Sequence, residues 1–222
     1  METLPSPFNA GEKQNGHPKN GYSFTNDLGA FHSSDDAKVK MVTHHFAEIM
    51  KIMGLDINES GLKDTPRRIA RTYIKDLFKG LNPSVRPSIT PFEDKSNYNK
   101  LVMQKNITVH STCEKYFLPI IGKAHVAYIS SGRSIGLSKL NRIVEYHSKK
   151  PQMQERLTEE IANSVKESLK IQDVAVLIDA VHLSMTMRGV KDAASSTVTS
   201  YFGGKFQKED IKTEFLLTMK SF

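Results

Sequence analysis

Helix and strand signals in this chain come in pairs rather than alternating singly, and that order decides the fold class. Apolar residues recur at helical spacing through Val39, Val42, Phe46, Ile49, Met50 and Met53, with Asp36 placed to cap the helix and Gly54 to end it. A second helix starts at Asp64-Thr65-Pro66, because proline at the first helical position forfeits no hydrogen bond. It runs through Ile69, Tyr73, Ile74, Leu77 and Phe78 and stops at Gly80; Pro83, Pro87 and Pro91 then mark an extended connector. Residues 101–103 and 107–109 read as strand, and after a turn at Gly122 residues 124–129 form a second strand, with Gly132 closing the hairpin.

Two more helices are expected, one opening at Gly136 with Ser138 as its cap, the other running from Pro151 through Leu157, Ile161, Val165 and Leu169. Residues 173–180 are a strongly apolar strand. Its alternation continues to Arg188, with His182, Ser184, Thr186 and Arg188 on one face and Leu183, Met185 and Met187 on the other. Residues 195–201 give a last strand and residues 208–220 a closing helix. Two helices, two strands, two helices, two strands and a helix specify an α+β domain.

Residues 1–37, rich in Asn, Gly, Ser, Pro and Lys without periodicity, read as a disordered tail. The domain then covers residues 38–222, with N-terminal helices over 38–95 and the sheet-bearing core over 96–222. The formal charge of +7, from 31 Lys and Arg against 24 Asp and Glu, suits an anionic partner such as a nucleotide or phosphorylated metabolite. The basic residues are dispersed, so nucleic acid is not an expected partner. No run of about 18 apolar residues is present, so no membrane partner is expected. A single cysteine and an N-terminus without a signal-peptide pattern point to a cytoplasmic protein.

That cysteine, Cys113, sits in Val109-His110-Ser111-Thr112-Cys113-Glu114-Lys115-Tyr116-Phe117. Its residue type leaves three readings open: metal ligand, nucleophile activated by nearby Lys115, or inert core filler. His110, three residues earlier, points to the opposite strand face, and His44, His45, His125 and His147 have no constellation around them.

Several stretches resemble the GTP cyclohydrolase I family: Asp64-Thr65-Pro66-Arg67-Arg68, Ser111-Thr112-Cys113-Glu114, Gly136-Leu137-Ser138-Lys139-Leu140-Asn141-Arg142, Pro151-Gln152-Met153-Gln154-Glu155-Arg156-Leu157, Asp179-Ala180-Val181-His182 and Arg188-Gly189. The resemblance covers about residues 38–220. It implies a tunnelling fold, in which antiparallel hairpins of several subunits close a barrel with helices outside. It also implies a homodecamer of two pentameric rings with sites between subunits. The implied reaction opens the imidazole ring of GTP, giving formate and dihydroneopterin triphosphate, the first step of tetrahydrofolate and pterin synthesis.

By motif match, Arg68, Lys139, Arg142 and Arg188 would hold phosphates and Ser138 the ribose. Gln154 and Glu155 would meet the guanine edge, and His182 would move a proton beside Cys113. The family's zinc is held by Cys, His and Cys, but Lys115 and Tyr116 stand here where the family has two histidines, and Ser184 stands where it has the second cysteine. Cys113 is the one retained ligand position, so no metal cofactor is expected; zinc would need a non-standard ligand set. Three functions follow as expectations. The first is a GTP cyclohydrolase I-type protein that binds GTP and, if active, converts it. The second is a zinc-free, catalytically inactive or regulatory paralogue that binds GTP or a pterin, or co-assembles with an active homologue. The third is a metal-free enzyme that uses Cys113 on a purine or pterin.

Overall fold

A computed structural model describes residues 34–93, 98 and 100–220. The tail expected over residues 1–37 therefore lies, as far as residue 33, outside the described residues. Helix α1 (Asp35–Ile52) begins earlier than its apolar periodicity, because Ser34 and not Asp36 caps it: the Ser34 hydroxyl accepts the Ala37 N–H at 3.3 Å. Asp35 and Asp36 occupy the first turn, where carboxylates meet the positive end of the helix dipole. Helix α2 (Thr65–Arg71) carries Pro66 in its first turn and continues as a π-helical turn over Thr72–Leu77. Among the described residues no helix is long and apolar enough to cross a membrane.

Strand β1 (Phe92–Glu93) pairs with β4 (Arg133–Ser134) apart from the main sheet. The main sheet contains β2 (Leu101–Cys113), β3 (Pro119–Ile129), β5 (Pro151–Gln152), β6 (Val174–His182) and β7 (Thr197–Phe202), in the order β5-β2-β3-β6-β7. Its pairs are antiparallel except β2 with β5. The two short strand signals over 101–109 belong to one 13-residue strand. They are separated by a register shift between Gln104 and Ile107, where Asn106 takes φ 57°.

The hairpin turn is not at Gly122. It covers residues 114–118, where Cys113 N–H donates to Leu118 O and Phe117 N–H to Cys113 O, both at 2.8 Å. Gly122 lies inside β3 because a Cβ there would overlap the Asp179 carbonyl and Ala180 of β6. Gly122→Ala is expected to destabilise the protein by about 1–3 kcal/mol, the usual cost of forcing atoms into a packed interior, measurable as a lowered urea midpoint.

Helix α3 (Leu137–Ser148) is capped at Gly136, with Ser138 inside it. Pro151 opens no helix but lies in β5, and α4 (Gln154–Leu169) follows. Strand β6 ends at His182 instead of continuing to Arg188, and a helical turn, α5 (Leu183–Thr186), takes over. The reason lies next door. His182 pairs with Ile120, and the one residue of β3 before it is Pro119, which has no N–H and is where β3 begins. A strand without a partner must satisfy its backbone otherwise, and Met187 N–H donates to Leu183 O at 2.9 Å. Helix α6 (Glu209–Lys220) closes the chain.

One sheet face, through Val109, Ile120, Val126, Tyr128, Val176 and Ile178, packs on α3 and α4 through Leu140, Ile143, Val144, Leu157, Ile161 and Val165. On the other face Ala127, Ile129, Ala175 and Leu177 pack on Phe206 and on Phe215 of α6. This is the α+β arrangement expected. The connectivity makes the two sheet ends distinct: β2 and β6 finish, and β3 and α4 start, at the end marked by Cys113 and His182.

Candidate active site

Register builds the site. Thr112 pairs with Pro119 and Ile120 with His182, so Cys113 and His182 finish their strands at the same sheet end. The parallel β5 sets Gln152 beside Cys113, and two residues later α4 starts with Gln154 and Glu155. The loop carrying Lys115 and Tyr116 is fastened on two sides. Phe117 packs edge-on against Phe78 with centroids 5.2 Å apart, Phe78 meets Tyr73 at 5.3 Å, and Glu114 pairs with Arg156. Arg156 Nε also donates to Gln152 Oε1 at 3.0 Å.

His182 is half-buried, with Nε2 2.7 Å from Gln154 Oε1. Gln154 is buried at 1% exposure, and the two hydrogens of its amide nitrogen are shared among three acceptors, Ile178 O at 3.1 Å, Thr197 O at 2.8 Å and Thr199 Oγ1 at 3.2 Å. Expected at a purine edge, Gln154 instead has both ends of its amide engaged in the seam between α4, β6 and β7. Glu155 is exposed in the first turn of α4, and its carboxylate makes no salt bridge among the described residues.

Burial holds the pKa of His182 below the ordinary histidine value of 6.5, with the Glu155 charge pulling back. His125 and His147 are also held low by burial. Nδ1 of His125 is buried without a hydrogen-bond partner among the described residues. A histidine whose folded pKa is lowered is neutral in both states at high pH, but below its ordinary value the unfolded chain takes up the proton first. Stability is therefore expected to hold above pH of about 7 and to fall as pH drops through the region below the ordinary histidine value, seen as a decreasing urea midpoint.

The remaining expected residues separate into two groups. Arg188 is exposed just past α5, its guanidinium carbon 4.0 Å from the ring centroid of Tyr116. Arg68 is exposed on α2, 3.9 Å from Asp64. Ser138, Lys139 and Arg142 lie in the first two turns of α3, toward the opposite sheet end from Cys113. At 1.5 Å per residue, Lys139 stands roughly 14 Å along the helix from Ser148, whose end of α3 leads into β5. Lys139 Nζ reaches Ser88 O at 3.3 Å. One chain thus brings Cys113, Gln154, Glu155, His182 and Arg188 together, and leaves Ser138, Lys139 and Arg142 at its far end.

Two features of the structure have little or no local signature in the sequence. His147 does have a constellation: Nδ1 lies 3.1 Å from Glu160, Nε2 2.7 Å from Ser164, and Lys150 Nζ 2.7 Å from the same Glu160 carboxylate. Its trace in the sequence is the spacing of Glu160 and Ser164, one helical turn apart on α4. The stack of Arg188 on Tyr116 joins residues 72 positions apart and leaves no local pattern.

A model of the GTP cyclohydrolase I family matches residues 42–220, which include both groups of site residues. The chain belongs to the GTP cyclohydrolase I family. It is 50% identical over 187 residues to GTP cyclohydrolase 1 of Flavobacterium johnsoniae, covering 84% of each protein. It is 45% identical over 184 residues to that of Vibrio parahaemolyticus (82% of this chain, 85% of the relative) and 42% identical over 187 residues to that of Erwinia tasmaniensis (84% and 85%).

A zinc ion of the kind used in this family does not fit the donors at the Cys113 end. Tyr116 offers a phenol and Ser184 an alcohol on a helical turn; neither is a usual zinc ligand. Arg188 sets a permanent positive charge on the Tyr116 ring, which opposes a second cation there. Among the described residues no three His, Cys, Asp or Glu side chains gather as a ligand set.

Proposed function

We propose that this chain is a GTP cyclohydrolase I-type protein that binds GTP at the sheet end around Cys113 and His182, with opening of the purine imidazole ring as its reaction. The observation that carries the reading is the convergence of Glu155, His182 and Arg188 on that end within a chain matched to the family over residues 42–220. The exposed Glu155 carboxylate accepts two N–H bonds from a guanine edge. The Arg188 guanidinium, stacked on Tyr116, keeps its N–H edge available to phosphate oxygens. His182, neutral near pH 7, exchanges a proton with the reacting ring.

The far-end position of Ser138, Lys139 and Arg142 supports a site completed between subunits. In that arrangement α3 of a neighbouring copy brings its own Ser, Lys and Arg to the phosphates and ribose, within a cytoplasmic ring assembly. Because the donors do not fit zinc, no step is assigned to a metal.

The test is incubation of the purified full chain with GTP, following pterin fluorescence and formate, with zinc content and GTP affinity measured on the same sample. Turnover supports the proposal in full. Binding without turnover identifies a subunit that holds GTP or joins an active homologue. A stable mass increase at Cys113 would identify covalent chemistry. No affinity for GTP overturns the reading.

A further inference from the structure

We infer that Gln154 is a positioning residue: it fixes His182 as the Nε2–H tautomer and leaves Nδ1 as the nitrogen that exchanges a proton in the site. This deepens the proposed function, since it rests on His182 serving that site. The assignment follows by tracing each proton through a buried chain of hydrogen bonds.

Thr158 Oγ1 lies 2.9 Å from Gln154 O, a carbonyl that can only accept, so the Thr158 hydroxyl proton points there. Thr158 therefore has no proton for Thr199, and the 2.7 Å contact between their hydroxyls must be donated by Thr199. The Thr199 oxygen then accepts from the Gln154 amide. That amide nitrogen also meets two backbone carbonyls, Ile178 O and Thr197 O. Rotating the amide by half a turn would set its oxygen against both carbonyls with no proton between them, in a seam where Gln154 is 1% exposed. The orientation of Gln154 is thereby determined, and its Oε1 faces His182 Nε2 at 2.7 Å.

An amide oxygen can only accept, so Nε2 carries the hydrogen. A neutral imidazole has one N–H, which leaves a lone pair on Nδ1. Nδ1 has no hydrogen-bond partner among the described residues and is not among the buried, unpartnered nitrogens. The ring that ends β6 thus meets the site with an acceptor. When Nδ1 takes up a proton, the Nε2–H bond to Gln154 persists, so the ring changes charge without losing its anchor.

The tautomer is read without substrate, from the ring-nitrogen resonances of histidine-labelled full-length protein above the His182 titration, with His182→Asn identifying its signals. The expected spectrum shows a protonated Nε2 and a bare Nδ1. Gln154→Met, which keeps the length and removes the acceptor, is expected to give a mixture of the two tautomers. Thr199→Val, which leaves both carbonyls holding the amide, is expected to keep the single Nε2–H form. A wild-type ring protonated on Nδ1, a wild-type mixture, or an unchanged pure Nε2–H form in Gln154→Met overturns the inference. If Gln154→Met does not fold, the wild-type spectrum decides alone. GTP affinity measured on the wild-type sample separates a failed inference from a failed functional reading, because the tautomer needs no ligand.

Discussion

The triple variant Lys115→His, Tyr116→His, Ser184→Cys is expected to bind one zinc per chain, with affinity more than about 100-fold above that of the unaltered protein. Loss of an outer-shell partner alone costs roughly 10–100-fold in metal affinity, and this chain departs from the family at two direct ligand positions. The substitutions supply an imidazole and a thiolate alongside Cys113 and remove the aromatic ring on which Arg188 rests. Zinc content after dialysis, together with competition against a chromophoric chelator, measures the gain. The helical turn at Leu183–Thr186 makes this a test of the backbone too. Stoichiometric zinc means that residue 184 comes within reach of Cys113, whereas an unchanged affinity means that the turn holds it away.

Removing the Glu160 carboxylate is the second large effect. Glu160→Ala is expected to lower the unfolding free energy by about 3–5 kcal/mol, the usual result of stripping one partner from a buried ion pair. Lys150 has a side chain only 6% exposed and lies 2.7 Å from Glu160, which also accepts from Gln152 at 2.8 Å and faces His147 at 3.1 Å. Burial pushes the Glu160 carboxyl up, but hydrogen bonds from His147 and Lys150 outweigh it and hold the carboxyl below its usual range. The charge is therefore present at neutral pH and its loss strands the ammonium. Pairing Glu160→Ala with Lys150→Met is expected to recover most of the stability, because the uncompensated charge goes with the lysine. Urea unfolding of the three proteins measures both effects, and an additive double variant would show that the pair is not coupled.

The same network shows where local pattern stops being informative. Helix α4 was legible because Leu157, Ile161, Val165 and Leu169 repeat at helical spacing. The neighbours that Glu160 and Gln154 would find across the seam were not. Gln154, next to Glu155 in a substrate-like motif, reads as a ligand contact until β6 and β7 are placed around it. Likewise the alternation through Ser184 to Arg188 is a valid strand pattern, but a strand needs a partner, and β3 offers none before its first residue, Pro119. Gly122 shows the converse: a residue that marks turns by composition sits mid-strand because another backbone passes too close for a side chain.

The sequence by itself determined the α+β class, the order of the main helices and strands, the family, and the absence of the family's zinc donors at residues 116 and 184. All of these follow from side-chain identity and periodicity along the chain. Tertiary structure alone decided that Cys113 and His182 share one sheet end while Lys139 and Arg142 lie at the other. It also set Arg188 on Tyr116 and turned Gln154 inward to hold His182. Each of these depends on strand register or on contacts between residues far apart in sequence, which no local spacing encodes.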